Sequence, residues 1–196
     1  MSAPHFTSDR SRELKLVGNR LYLRPVVQSD ASASYVNWLN DPETTRYLES
    51  GRVKESQESL KAYIRRYIDR EDALFLAILL KENDLYVGNI KLEPINWRHQ
   101  NAILGIMVGA PEARGKGIGS EAILLLLRYC FEVLDLHRVG LGVTADNEAA
   151  IRCYQKIGFK KEGQIRAAVR RENGYVDNYS MGILKEEFLG NKSSEK

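Results

Sequence analysis

The stretch "APEARGKGIGSEAI", Ala110 to Ile123, places Gly115, Gly117 and Gly119 at alternate positions between an arginine and an apolar run. Glycine loses more conformational freedom on folding than any other residue, so three together call for a sharp bend or a close approach to the backbone. Before the loop, "AILGIMV" (Ala102 to Val108) is continuously apolar, which predicts a central strand covered on both faces. After it, Ile123 to Leu127 leave only Glu121, Arg128, Glu132 and Asp135 as a polar edge, which predicts a helix set deep in the fold.

Two readings of the loop compete: a tight strand-to-helix turn, or a cradle for an anion. The P-loop pattern fails, because Gly109 is one residue too far from Gly115-Lys116 and Gly117 stands where a metal-binding hydroxyl belongs. The dinucleotide pattern G-x-G-x-x-G fails too, its third glycine arriving one residue early at Gly119, before Ser120. What remains is R-x-x-G-x-G, from Arg114, Gly117 and Gly119. Bare main-chain amides at a helix N-terminus point at an anion and the helix dipole adds partial positive charge, with Arg114 and Lys116 as full charges at the rim.

Outward from the loop, "RLYLRP" (Arg20 to Pro25) reads as a short strand. A helix is expected after Ser29, with Ala31, Tyr35, Trp38 and Leu39 on one face and Pro42 beyond its end. A second carries Leu60, Tyr63, Ile64, Tyr67 and Ile68 at i, i+3, i+4, i+7 and i+8. "ALFLAILL" (Ala73 to Leu80) and "LYVGNIKLE" (Leu85 to Glu93) are strands around the turn-rich "KEND". "RVGLGVT" (Arg138 to Thr144) alternates as a strand. "DNEAAIRCYQKIGF" offers an Asn or Asp cap, a helix with Ile151, Tyr154 and Ile157 on one side, and Gly158 as its C-cap. Two strands follow, about Lys160 to Arg170 and Tyr175 to Leu184. A meander plus a strand–helix–strand crossover gives a mixed-sheet α/β (α+β) fold. The organisation expected is a loose N-terminal arm (1–13), one domain (14–189) and a loose tail (190–196).

Composition fits an ordinary globular chain: 196 residues, 43% hydrophobic, 28% charged, net charge +3 with both signs interleaved. No basic stripe points to nucleic acid and no apolar run is long enough to span a membrane. The N-terminus lacks the apolar core of a signal peptide, so the cytoplasm is the default location. Cys130 and Cys153 fall in predicted helices and are expected as free thiols, and two cysteines alone form no structural zinc site.

About thirty residues separate the glycine loop from "TADNEAAIRCYQKIGF" (Thr144 to Phe159). This arrangement resembles the acyl-CoA-dependent N-acetyltransferases of the GNAT superfamily. Their pyrophosphate loop reads Q/R-x-x-G-x-G/A, and a later helix begins with Asn and carries Tyr before K-x-G-F. The resemblance runs from about Leu21 to Phe188. It is nearest the branch of ribosomal-protein N-terminal, spermidine and nucleotide-amino-sugar acetyltransferases, through "LRP", "WLNDPE", "VGNIKL", "GKGIGSEA" and "GYVDNYSMGILKEEF".

The resemblance implies a mostly antiparallel sheet splayed in its middle and flanked by helices, with acetyl-CoA as cosubstrate and no metal. Acetyl passes directly to a primary amine. The pyrophosphate would sit on the amides of Arg114, Gly115, Lys116, Gly117, Ile118, Gly119 and Ser120. Amides near Met107 and Val108 would bond the pantetheine arm, Gly109 would relieve crowding beside the bulge, and Asn147 would touch the arm or merely cap its helix. Arg152 or Lys156 would reach a 3′-phosphate, or stay solvated. A thiol titrates at about 8.5 and a phenol at about 10, so Tyr154 is protonated at neutral pH and can give its proton to the departing thiolate. It can also be a core tyrosine.

Many relatives carry Glu on the central strand. This chain has Ile103 there, which leaves Glu93 acting through water, or His99, as the candidate base. Trp38, Asn40, Tyr47 and Asp177 match positions near the acceptor cleft, Trp38 also fitting a core role. Asp41, Glu43 and Glu49 alternate with Arg46 and Arg52, a mixed signal for a polyamine. A small-molecule amine, such as a nucleotide-linked amino sugar, is the acceptor expected; a protein N-terminus or a polyamine is the alternative. The reading leaves room for a homodimer and includes neither nucleic acid nor membrane. The rival from another class is a non-catalytic acyl-CoA sensor.

Overall fold

Apolar segments of period two and period 3.6 alternate along the chain, and they assemble into one twisted layer with helices on both faces. The computed structural model describes residues 14–48, 53–68 and 70–191. The expected arm at 1–13, residues 192–196, Glu49 and Arg52 lie outside the described residues.

The strands are β1 (Leu16–Val17), β2 (Leu21–Pro25), β3 (Leu74–Leu80), β4 (Tyr86–Asn96), β5 (Asn101–Val108), β6 (Arg138–Thr144), β7 (Lys160–Arg171) and β8 (Gly174–Leu184). They form one sheet in the order β1-β2-β3-β4-β5-β6-β8-β7. The helices are α1 (Ala33–Asn40), α2 (Pro42–Thr45), α3 (Gln57–Ile68), α4 (Ile118–Glu132), α5 (Glu148–Ile157) and α6 (Lys185–Asn191). All neighbouring strands are antiparallel except β5 and β6, which α4 joins as a parallel crossover.

That parallel pair is short. β5 meets β6 only at Asn101↔Arg138, Ala102↔Val139 and Ile103↔Gly140. Beyond these, β5 stays with β4 as far as Gly88↔Val108, and β6 stays with β8 as far as Thr144↔Asn178. The facing edges of Leu104–Val108 and Leu141–Thr144 therefore diverge without a partner. Unpaired strand edges present N–H and C=O groups that another chain or a ligand can complete.

Leu76, Ile78, Ile90 and Leu92 from the sheet and Ile123, Leu126 and Leu127 from α4 are fully buried in one core. Each contributes roughly 1.5–3 kcal/mol on leaving water. Three expectations change. The helix expected after Ser29 starts after Ser32, whose Oγ accepts from Tyr35 N at 3.2 Å. The preceding Gln28–Asp30 forms a 3-10 turn, because Asp30 is drawn back onto both terminal nitrogens of Arg24 at 2.7 Å. β5 is not covered on both faces: Ile103 is 42% exposed, since α4 covers only the side carrying Ala102 and Leu104. The helix α6 runs on to Asn191, two residues into the tail expected to be loose. Among the described residues no helix is long and apolar enough to cross a membrane.

Candidate active site

The glycine loop bends as its composition demands. Gly115 and Gly117 have φ of 69° and 77°, in the left-handed region that side chains resist. Gly117 is the N-cap of α4 and supplies no side-chain cap, so the first-turn amides of Ile118, Gly119 and Ser120 lack the partner a Ser or Asp would give. Arg20, which the sequence did not single out, donates from Nη1 to Lys116 O at 2.7 Å. In a trans peptide the next N–H points the opposite way, so this contact sets the direction of the Gly117 amide. Glu121 in turn holds Arg20, at 2.8 Å from its Nε.

Arg114 is not a free charge at the rim. Its Nε donates to Val108 O at 3.2 Å, and its Nη2 to Gly109 O at 2.8 Å and to Thr44 Oγ1. It ties the end of β5 to α2. Its own amide donates to Pro111 O, so the free amides of the loop begin at Gly115, not at Arg114. Arg114→Lys, which lacks the planar fork, should lower stability by about 1–2 kcal/mol. A denaturant midpoint below wild type, with weakened acetyl-CoA binding by titration calorimetry, is the expected result.

The phase of the β4–β5 ladder settles which strand amides are free. Gly109 N donates to Val87 O at 2.9 Å. Hydrogen-bonded pairs recur at every second residue of an antiparallel ladder. The next such pair is Asn89↔Met107, so the Met107 amide is turned to β4. Ile106 and Val108 direct theirs into the wedge. Of the two residues singled out in the sequence, Val108 thus turns its amide to the wedge and Met107 turns its amide to β4, while Ile106 shares the direction of Val108.

A groove of about 600 Å³ runs from Val108 past Gly117, Gly119 and Ser120 to Asn147 and Lys156 on α5. Residues from both halves of the sequence pattern thus line one cavity, with Cys153 rather than Tyr154 in its wall. Arg152 lines it too, and pairs with Glu148 at 2.9 Å. Asn147 Oδ1 accepts from Ala150 N at 3.3 Å, so it caps α5 and borders the groove at once. Tyr154 packs on Phe159 with ring centroids 5.9 Å apart. Burial, and then the neighbouring Cys153, push its phenol up to about 12. Its hydroxyl makes no hydrogen bond among the described residues, yet is not sealed from solvent. Cys130 and Cys153 are both free thiols.

On the other face, a pocket of about 530 Å³ lies between α1, α3 and β4–β5, and Ile106 and Met107 form part of its wall. The expected acceptor residues take different places around it. Trp38 is in the core, 8% exposed, and presses on Gly109 so closely that a Cβ there would lie 2.2 Å from its ring. Asn40 holds the main chain of Glu55 at both ends: Nδ2 donates to Glu55 O at 2.9 Å, and Oδ1 accepts from Glu55 N at 2.8 Å. It thereby sets Glu55 into the pocket wall. Tyr47 reaches over to Asp146 O at 3.3 Å, where Asp146 pairs with Arg171 at 2.9 Å. Asp177 accepts from Ala167 N at 2.8 Å and from Gln164, shaping the irregular stretch of β7.

Glu93 does not line this pocket. Tyr67, Lys91 and Arg70 all donate to its carboxylate, Lys91 at 2.9 Å. Partial burial works to raise this carboxyl, but the hydrogen bonds from Tyr67, Lys91 and Arg70 outweigh it and hold it below the usual range. An anion so fully engaged is a poor proton acceptor. Glu93→Gln should leave kcat within about threefold of wild type. Its ion pairs should add stability above the unfolded carboxyl value of about 4.3, and that stability should vanish as pH falls through the lower folded value. Melting curves at pH 7 and pH 3 on both proteins check this: the wild-type advantage should disappear at the lower pH. His99 stands in the turn before β5, at the opposite end of that strand from the glycine loop.

Comparison with known proteins agrees with this geometry. The acetyltransferase (GNAT) domain family matches residues 20–160. A spermidine N(1)-acetyltransferase of Escherichia coli (strain K12) is 30% identical over 85% of this chain and 87% of its own length. The uncharacterized N-acetyltransferase YoaA of Bacillus subtilis (strain 168) is 30% identical over 85% of this chain and 94% of its own. A crystal structure of spermidine N-acetyltransferase from Vibrio cholerae in complex with CoA and spermine superposes with a TM-score of 0.79 at 27% identity, covering 87% of this chain and 98% of that one. With the splayed strands and the uncapped glycine loop, these matches show that the chain belongs to the GNAT acetyltransferases and is an acetyl-CoA-dependent N-acetyltransferase.

Proposed function

We propose that the chain acetylates the primary amine of a small molecule held in the α1/α3 pocket, by direct attack within a ternary complex. One observation carries this reading. The groove and the pocket meet on the same unpaired stretch of β5, with Val108 lining one and Ile106 and Met107 lining the other. Two residues of strand span only about 6–7 Å.

Acetyl-CoA supplies an acyl group activated as a thioester. The bare amides from Gly115 to Ser120 hold its diphosphate, and glycine suits Gly115 and Gly117 because each is left-handed. The amides of Ile106 and Val108 bond the arm and the thioester carbonyl, where charge develops during attack. Tyr154 donates its phenolic proton to the leaving sulfur. In balance, a C–N bond forms, the C–S bond breaks, the nitrogen loses one proton and the sulfur gains one. With Glu93 engaged by three donors, no side-chain base is assigned; the amine becomes neutral by exchange with solvent.

Among the described lining residues, nothing favours a nucleotide-linked sugar over simpler amines. Its wall is largely apolar, and its cation, Lys91, is already paired. The test is release of free CoA across a panel of amino sugars, monoamines, polyamines and short peptides. Intersecting initial-rate lines support the ternary complex. Acetyl-CoA binding with no turnover on any amine would overturn the reading.

A further inference from the structure

Asn89 lies in the wall of the acceptor pocket and is 5% exposed. Its Oδ1 accepts from Tyr86 Oη. Its Nδ2 is the one sealed side-chain nitrogen or oxygen without a partner among the described residues. Exchanging the two amide ends would leave Oδ1 unpaired and strand the Tyr86 hydroxyl hydrogen as well, so the orientation shown is the better one. A buried donor with nothing to bind is rare in folded chains and calls for a partner that arrives later.

The surroundings narrow what that partner is. Lys91 follows two residues along the same strand, on the same face as Asn89. It donates to Glu93 at 2.9 Å and to the hydroxyls of Tyr63 and Tyr67 at 3.3 Å each. It is a fixed positive charge in the pocket wall. Glu55 is the one carboxylate among the described lining residues, and it accepts from Ser59 Oγ at 2.5 Å. The rest of the wall is mainly apolar, including Leu39, Leu60, Phe75 and Met107. One carboxylate suits one ammonium group. Among the described lining residues, a second or third cation would meet Lys91 and hydrocarbon.

Resting on the acetyl transfer proposed above, we infer that this pocket selects an α-amino carbonyl compound with an apolar side chain, whose entry opens the wall so that the otherwise sealed Asn89 Nδ2 donates to the carbonyl oxygen beside the amine, and that Lys91 disfavours polyamines. A free amino-acid amide and the first residue of a peptide share this chemistry.

Leucinamide, a leucine-led tripeptide, 3-methylbutylamine and spermidine separate the possibilities. The third is leucinamide without its carboxamide. Wild-type kcat/KM, expressed per neutral amine, should favour leucinamide over 3-methylbutylamine by about tenfold to a hundredfold. It should also favour leucinamide over spermidine. Asn89→Leu and Asn89→Asp should bring the leucinamide to 3-methylbutylamine ratio within about twofold of unity. Acetyl-CoA affinity by titration calorimetry should stay at the wild-type value. Asn89→Asp keeps an acceptor for Tyr86, so one variant preserves that contact; a merely structural Asn89 would alter both amines alike. Lys91→Gln should narrow the gap to spermidine. The tripeptide against leucinamide tells peptide from free amide.

Wild-type preference for spermidine or 3-methylbutylamine overturns the inference while leaving acetyl transfer intact. So does a leucinamide to 3-methylbutylamine ratio unmoved in folded Asn89 variants. Acetyl-CoA bound with none of the amines turned over overturns the proposed function, and this inference with it.

Discussion

Gly117→Val is expected to weaken acetyl-CoA binding at least about a hundredfold, a loss of roughly 2.7 kcal/mol. Two effects add. Gly117 caps α4 at φ 77°, and a β-branched side chain is strained in that region by about 1–2 kcal/mol or more. Relaxing that strain turns the peptide and moves the amides of Ile118 and Gly119 off their common focus. The valine methyls would also stand where the diphosphate must approach. Folding should survive, because an added Cβ would meet only Arg20 Nη2, at 3.4 Å, the far end of a flexible side chain. Gly117→Asn separates the two effects: Asn tolerates the left-handed region, so its loss should come mainly from occlusion and be smaller. Titration calorimetry with parallel thermal unfolding reads both. Wild-type affinity in folded Gly117→Val would place the coenzyme elsewhere.

Tyr154→Phe should lower kcat by about 10²- to 10³-fold with acetyl-CoA affinity within about threefold of wild type. The lost hydroxyl makes no hydrogen bond among the described residues, so its removal leaves no buried partner unsatisfied and the melting temperature should barely change. That separates a proton donor from a tyrosine kept for packing, whose ring phenylalanine would reproduce. The pH profile carries an independent test. Burial pushes the Tyr154 phenol up to about 12, so the acid form persists through the alkaline range and is lost only as pH rises through that value. The rate should therefore climb as the amine loses its proton, then remain level to about pH 10. A decline with a midpoint near about 8.5, the ordinary thiol value, would point to a different acid. An unchanged kcat in the phenylalanine variant would remove Tyr154 from the chemistry.

Local chemistry made much of this protein legible in its sequence. A left-handed glycine, an Asn that accepts from the amide three residues on, and a Gly that ends α5 act within one turn of chain. Gly117, Asn147 and Gly158 could thus be assigned before any contact was known. The strand and helix order followed from periodicity for the same reason. β5 was harder. Its uniform apolar run carries no period, so neither the exposure of Ile103 nor the choice of Ile106 over Met107 is encoded there; the ladder to β4 sets both. The opening between β5 and β6 leaves no mark in the residues themselves and is implied only by the family resemblance.

The remaining decisions rest on residues far apart in the chain. Arg20 bonds the main chain of Lys116, ninety-six positions away, and Arg114 turns inward to Thr44, seventy positions away. Glu93 carried the right group for a base, yet Arg70, Lys91 and Tyr67 converge on it from α3, β4 and the segment after α3. Asn89 was visible only as a polar letter within "VGNIKL". Its unpaired donor exists because folding buries Asn89 Nδ2 without bringing it an acceptor. The sequence by itself determined the turns, caps and helix starts, because those hydrogen bonds close within a few residues. Which donors, charges and strand edges remained free was decided only by tertiary structure, since a polar group's availability depends on every neighbour that folding brings to it.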